Sequence, residues 1–182
     1  MISIRPIAPH EWPAYRDIRL QALRDSPDAF GSTWEAEATG TDEHWSTRIA
    51  SAAAGNTDRA LFAVNGDDVC GLVWCKLPAA EPGIADIYQM WVHPSARGQG
   101  VGSALLGEAL AWARSRGSRR VRLGVTADTA SPAMHLYRSH GFRPVGQVEP
   151  LREGSELMSQ AMELEWSAPA SRGEPGDAAR PR

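Results

Sequence analysis

Apolar and polar residues alternate through "ISIRPI" at positions 2–7, the two-residue period of a strand with one buried face. The period then lengthens: Trp12, Tyr15, Ile18 and Ala22 recur three or four apart, which predicts a helix whose start is crowded by Pro9 and Pro13. Positions 26–40, "SPDAFGSTWEAEATG", carry no sustained period and read as a loop. Thr41 ahead of Asp42 and Glu43 has the chemistry of an N-cap for a second helix, "DEHWSTRIASAAA", closed by Gly55-Asn56. "RALFAVN" and "VCGLVWCKL" predict two antiparallel strands joined by a tight hairpin, and "IADIYQMWV" predicts a third after a Pro/Gly-rich stretch. Val101, Leu105, Ala109 and Trp112 then line one face of a helix that stops at Gly117, and "RRVRLGVTA" is a strand. Ser131-Pro132 form an N-cap and first-turn pair for "SPAMHLYRSH", ended by Gly141, after which "FRPVGQVE" and "LMSQAMELEW" finish as strands.

The order is about βααβββαβαββ, without internal repeat, and indicates an α/β (α+β) fold: one mixed sheet with helices on both faces. Residues 1–166 form the domain, whereas 167–182, "SAPASRGEPGDAARPR", have nothing to bury and are expected to be a disordered tail. A length of 182 residues, 42% of them apolar, suits one domain. The net charge of −3 comes from 22 acidic and 19 basic residues with no Lys/Arg block, which argues against nucleic acid as the main partner. No basic start precedes an apolar segment, and no apolar run approaches the roughly 18 residues that cross a bilayer, so a soluble cytoplasmic protein without a membrane partner is expected. Cys70 and Cys75 share one predicted strand at an odd separation, which puts them on opposite faces about 16 Å apart, too far for a disulfide or a zinc pair. The five histidines show no ligand spacing, and no metal is implied.

Gly98, Gly100 and Gly102 link an apolar strand to a helix. A glycine turn that opens a helix presents unpaired backbone N–H groups at the positive end of the helix dipole, an anion site best suited to phosphate. A dinucleotide G-x-G-x-x-G fails because Ser103 or Leu105 stands where its last glycine belongs, and no Gly-Lys-Ser/Thr follows for a Walker loop. A tight turn with close helix packing and no ligand is the simpler alternative. However, "RGQGVG", read as Arg97-x-x-Gly100-x-Gly102, resembles the Q/R-x-x-G-x-G/A pyrophosphate loop of the GNAT superfamily of N-acetyltransferases, and "MWVHP" before it resembles that family's cofactor strand. "ASPAMHLYRSHGF" resembles the family's N-x-x-A-x-x-L-Y-x-x-x-G-F helix and turn at Ala133, Leu136, Tyr137, Gly141 and Phe142, with Ala130 in the asparagine slot. The resemblance spans roughly residues 2–166.

The resemblance implies a GNAT-like, mostly antiparallel sheet, acetyl-CoA as donor and co-substrate, and a primary amine of a small molecule or protein as acceptor, attacked directly in a ternary complex. A homodimer is compatible with it. The implied cofactor loop is Arg97, Gly98, Gln99, Gly100, Val101 and Gly102 with Ser103 at its edge, the strand contacts are Met90, Trp91 and Val92, and Tyr137 borders the cofactor as the acid for the leaving thiolate. Read by itself, Tyr137 is a core tyrosine of a short helix, and only the motif makes it the acid; His135 and His140 are surface or packing residues. Asp86 falls six residues before Val92, where histone-modifying relatives place a glutamate base; alternation sets it on the face of Tyr88 and Met90, opposite Gln89 and Trp91, and a solvated strand-edge charge is the other reading. Glu35, Glu37, Asp42 and Glu43 beside Trp34 and Trp45 would suit a cationic amine, or form a solvated helix face. The alternatives to acetyl transfer are an acyl-CoA sensor with little turnover and a transferase of another acyl group. Neither cysteine lies in the two motifs, which speaks against an acyl-enzyme.

Overall fold

The structure, a computed structural model, describes residues 1–167. Except for Ser167, the segment expected to be a tail lies outside the described residues. Strand β1 (Ile2–Pro6) leads into α1 (Trp12–Asp25), where Pro13 sits in the first turn and costs no helical hydrogen bond. The stretch read as a loop contains a short helix, α2 (Trp34–Ala38), capped by the Thr33 hydroxyl, which accepts from Ala36 N at 3.2 Å. At five residues it is too short to show a helical period. In α3 (Asp42–Ala54) the Thr41 hydroxyl accepts from His44 N at 3.1 Å, as its N-cap chemistry predicted.

The strands β2 (Asp58–Asn65), β3 (Asp68–Lys76) and β4 (Ile84–Val92) follow, then α4 (Val101–Ser115), β5 (Arg120–Thr126) and α5 (Pro132–Ser139). The segment predicted as one strand at 142–149 forms two separate two-residue pairings, β6 (Arg143–Pro144) and β7 (Glu149–Pro150), against β8 (Met158–Glu165). Gly146 at φ +66° interrupts the extended backbone between them. The sheet runs β1-β2-β3-β4-β5-β8-β6, with β7 also on β8, and only the β4/β5 pair is parallel. It is a mixed, mostly antiparallel sheet with helices on both faces, as expected.

Each face has its own core. Tyr15, Leu23, Trp45 and Ile49 from α1 and α3 pack on Phe62, Leu72, Trp74 and Trp91. On the other face, Val101, Leu105, Leu106, Ala109, Leu110 and Ala113 of α4, with Met134 and Tyr137 of α5, pack on Val73, Val121, Leu123 and Met162. The buried stripe of α4 contains the predicted Val101, Leu105 and Ala109, while Trp112 lies half-buried at its rim. Gly71 lets the helix approach: a Cβ there would lie 2.9 Å from Leu105 Cδ1. Leu105 is fully buried, so truncation to alanine would cost about 2–5 kcal/mol.

Two β-bulges break the alternation that sequence reading assumes. Ala63 pairs with Gly71 but Val64 pairs with Val69, leaving Cys70 as an extra residue. Consequently Cys70 and Cys75 both join the α4-side core instead of facing opposite ways; both are buried free thiols. Across β3 and β4, Leu72 pairs with Trp91 and Trp74 with Tyr88, so one residue opposes two, Gln89 and Met90. Gln89 absorbs the insertion at φ +57°, the sole positive φ of a non-glycine among the described residues.

Candidate active site

β4 and β5 begin side by side and then part. Their pairing covers Ile84/Arg120, Ala85/Val121 and Asp86/Arg122, while β4 continues to Val92 and β5 to Thr126. The wedge between them opens toward the glycine loop. At its closed end Asp86 accepts from Arg122 through both oxygens, Nε to Oδ1 at 2.8 Å and Nη2 to Oδ2 at 3.1 Å. Arg122 also donates to both oxygens of Glu81 at 2.9 and 2.8 Å. The two carboxylates hold its guanidinium pKa above the usual value, Asp86 contributing first.

The bulge at Gln89 turns the upper half of β4 over. Asp86 and Tyr88 remain on the α1/α3 face, Tyr88 stacking on Trp74 with centroids 6.4 Å apart, but Met90 and Val92 pack on the α4-side core. The expectation that Asp86 and Met90 share a face is therefore corrected: the extra residue shifts the alternation by one. Trp91 is buried on the α1 face, where its Nε1 donates to Asp25 Oδ2 at 3.0 Å. Only its backbone is available to a ligand in the wedge.

At the open end Gly98 (φ +74°) and Gly100 (φ +79°) adopt the left-handed conformation that excludes other residues at low cost, and Gly100 caps α4. A Cβ built on either meets no atom within 4 Å, so the space above both amides is open. Gly102 serves packing instead: its Cβ would lie 3.3 Å from Leu136 Cδ2 and 3.6 Å from Met90 Cε. That close approach brings α5 against the first turn of α4, where Ser103 Oγ lies 2.9 Å from His140 Nε2. His140, read as a packing residue, is thus the partner of a predicted loop residue.

Arg97 and Gln99 fasten the loop. Arg97 donates from Nε to Val92 O at 2.9 Å and from Nη2 to Asp25 Oδ2 at 2.6 Å, and Gln99 Nε2 donates to Ser95 O at 3.2 Å. Asp25 thereby joins the end of α1 to both β4 and the loop. Its carboxyl pKa is lowered by the Ser26 hydroxyl first and then by Arg97 and Trp91. Tyr137 is buried on the α4 face against Phe142 at a centroid distance of 5.9 Å. Burial pushes its pKa up to about 12.

The structure puts Met90, Val92 and Tyr137 on the same side of the sheet as α4, which the loop from Arg97 to Ser103 opens, whereas Asp86 sits at the far end of the wedge on the opposite sheet face. Asp25, Gln89 and Arg122 are additional residues of the site that periodicity did not single out. Gln89 alone left a trace, as a polar residue within an apolar strand. Of the acidic cluster, Glu37 pairs with the buried Arg19 at 2.8 Å and Asp42 with Arg16 at 3.3 Å, and Trp45 is core, while Glu35 and Glu43 have no ion pair among the described residues.

Comparison with known proteins agrees with this geometry. The model of the acetyltransferase (GNAT) family matches residues 12–142. A mycothiol acetyltransferase from Corynebacterium efficiens is 33% identical over 131 residues, 71% of this chain and 43% of the relative. The chain spans less than half the length of the curated relatives it matches. Among solved structures, a GNAT-family acetyltransferase from Streptococcus pneumoniae superposes with a TM-score of 0.77 at 23% identity, covering 91% of this chain and all of that one. A Salmonella typhimurium protein described with its cofactor acetyl-CoA has a TM-score of 0.75 at 18% identity, covering 94% and 99%. With a family match across most of its described length and the corresponding fold, the chain belongs to the GNAT family of acetyltransferases.

Proposed function

We propose that this chain is an acetyl-CoA-dependent N-acetyltransferase that moves an acetyl group to a primary amine by direct attack within a ternary complex. One observation carries the reading: two left-handed glycines hold backbone amides in open space at the head of a 15-residue helix, beside a wedge between two parting strands. Helix N-terminal amides of this kind stabilise phosphate oxygens, so Gly98, Gln99, Gly100, Val101, Gly102 and the Ser103 edge fit a pyrophosphate, with Arg97 fixing the loop. The backbone of Met90, Trp91 and Val92, unpaired on the β5 side, would hold the pantetheine arm. The Salmonella relative with acetyl-CoA and the mycothiol acetyltransferase relatives support an acetyl donor.

Acetyl-CoA supplies an activated thioester; the protein's residues supply position and proton control. Tyr137, with its pKa near 12, keeps its proton at neutral pH. Full transfer from such a phenol to a thiolate of pKa about 8.5 runs uphill. Its contribution is therefore a hydrogen bond to the departing sulfur, which leaves as the thiolate when the C–S bond breaks, and the proton released by the amine as the C–N bond forms passes to water. Asp86 is held by Arg122 at both oxygens, and its role is to fix the point where the strands part and to lend negative potential with Glu81, rather than to take the amine's proton itself. Burial pushes the Cys75 thiol up to about 12, so it is not ionised, in keeping with transfer that needs no acyl-enzyme.

Thermal melting with acetyl-CoA, followed by thiol release with a panel of amines, tests the reading. A rise in Tm with turnover of at least one amine is expected. No stabilisation by acetyl-CoA would overturn the assignment, and stabilisation without any turnover would favour an acyl-CoA sensor.

A further inference from the structure

Of the acidic side chains that looked suited to a cationic acceptor, Glu37 pairs with the buried Arg19 and Asp42 with Arg16 at the surface, and the cavity beside the bulge carries the opposite charge. This cavity, of about 350 Å³, lies on the α1/α3 face and is lined by Arg48, Asp58, Trp74, Lys76, Tyr88 and Gln89 among others. Lys76 is exposed and has no ion pair among the described residues. Arg48 reaches Glu37 only at 3.9 Å and otherwise rests on the rings of Trp45 and Trp74, at 6.0 and 5.8 Å. Asp58 is the one acid of the wall, and both its oxygens already accept, from Trp74 Nε1 and Thr57 Oγ1, each at 2.8 Å. Two cations against one carboxylate leave the wall at +1.

The neighbouring end of the same cleft has the reverse sign. Tyr88 lines the cavity and stands two residues from Asp86 on the same sheet face, and Asp86 and Glu81 against Arg122 leave that group at −1. The two groups adjoin, since Lys76 of the cavity wall pairs in register with Asp86 across β3 and β4. An acceptor lying along this face would meet negative potential at one end and positive at the other. Burial, and then Asp58, raise the Tyr88 pKa, so its hydroxyl remains a hydrogen-bond donor.

We infer that the acceptor carries a carboxylate as well as its amine, and that Arg48 and Lys76 bind this carboxylate in the cavity beside Gln89. The inference rests on the acetyltransferase reading above. It narrows the acceptor class to amino acids and related amino carboxylates, against simple amines and polyamines.

The test uses the full chain, acetyl-CoA and matched acceptors: glycine, β-alanine, 4-aminobutyrate, 6-aminohexanoate and L-phenylalanine, each against the amine lacking its carboxylate. The length series scans the span between the reacting amine and Arg48. At least one amino carboxylate should exceed its amine in kcat/KM by about tenfold to a hundredfold, the usual worth of a charged hydrogen bond. Arg48→Gln should raise the KM of that acceptor and collapse the ratio. Lys76→Gln, at an exposed and unpaired position, should reduce the ratio without a change in Tm, which guards against misfolding of the first variant. Equal or better use of the plain amines overturns the inference, as does a preference that survives both substitutions. Failure of every amino carboxylate while acetyl-CoA still raises Tm also overturns it, whereas absence of that Tm shift removes the transferase reading beneath it.

Discussion

Replacing Gly100 by alanine separates the loop's conformational demand from its ligand. At φ +79° the backbone is left-handed, where a Cβ costs roughly 1–2 kcal/mol. No atom lies within 4 Å of the added carbon, so no clash adds to that strain. For a domain of this size 1–2 kcal/mol corresponds to a fall in Tm of about 2–8 °C. Gly117, which ends α4, has φ +86° and equally empty surroundings, so Gly117→Ala should cost the same. Only Gly100→Ala puts a methyl over the amides proposed to hold pyrophosphate, where losing one charged hydrogen bond is worth about 1.5–3 kcal/mol, or about 10- to 150-fold in affinity. Calorimetric titration with acetyl-CoA, alongside melts of both variants, measures the two effects separately. Parallel losses of stability with affinity lost only at position 100 are expected. If Gly100→Ala binds acetyl-CoA within threefold of the parent, the pyrophosphate lies elsewhere and the functional reading loses its support.

Tyr137→Phe should reduce kcat by on the order of 10²–10³-fold while leaving Tm and acetyl-CoA affinity almost unchanged, because the ring and its contact with Phe142 are kept; unchanged turnover would remove it from the chemistry. Asp86→Asn should lower Tm but preserve the acidic limb of the kcat/KM pH profile, and disappearance of that limb would make Asp86 the base after all. Glu11 accepts from Arg5 and from Ala8 N, and its pKa falls from 4.5 to about 2, mainly through Arg5. A carboxylate depressed in the folded state contributes stability that is complete above about pH 4.5 and lost as pH falls through 2. Glu11→Gln should accordingly lower Tm at pH 7 and have little effect near pH 2; an equal loss at both would assign the effect to packing.

Much of the fold was legible because its helices and strands are long enough to display their periods. The β4 segment "IADIYQMWV" and the Thr41 and Ser131 caps lie where the side chains predict them. The loop was legible for a different reason: two of its glycines answer a backbone demand that few other residues meet. What escaped was long-range. The pairs Arg19–Glu37, Arg122–Asp86 and Arg97–Asp25 span 18, 36 and 72 positions, and spacing carries no trace of them. Glu37, counted as free for an amine, was therefore already paired. Alternation also failed wherever an extra residue entered a strand, as at Cys70 and Gln89, since everything beyond the insertion changes face.

Gln89 shows why such a defect persists. Holding a non-glycine residue at φ +57° costs of order 1–3 kcal/mol, and its side chain is buried at 7% exposure. The fully buried Tyr15 offsets part of this by donating to Gln89 Oε1 at 2.8 Å, tying α1 to the bulge. In an unbulged strand, Met90 and Val92 would face α1, and Trp91 would face α4. Trp91 could not then reach Asp25, and Met90 and Val92 would not back Gly102. One extra residue thus leaves Asp86 and Tyr88 on the α1/α3 face while Met90 and Val92 turn to the α4 face that backs Gly102. On the proposed reading the strand offers one face to the acceptor and the other to the cofactor loop because its alternation breaks at Gln89, and the local strain sits where the two proposed sites adjoin.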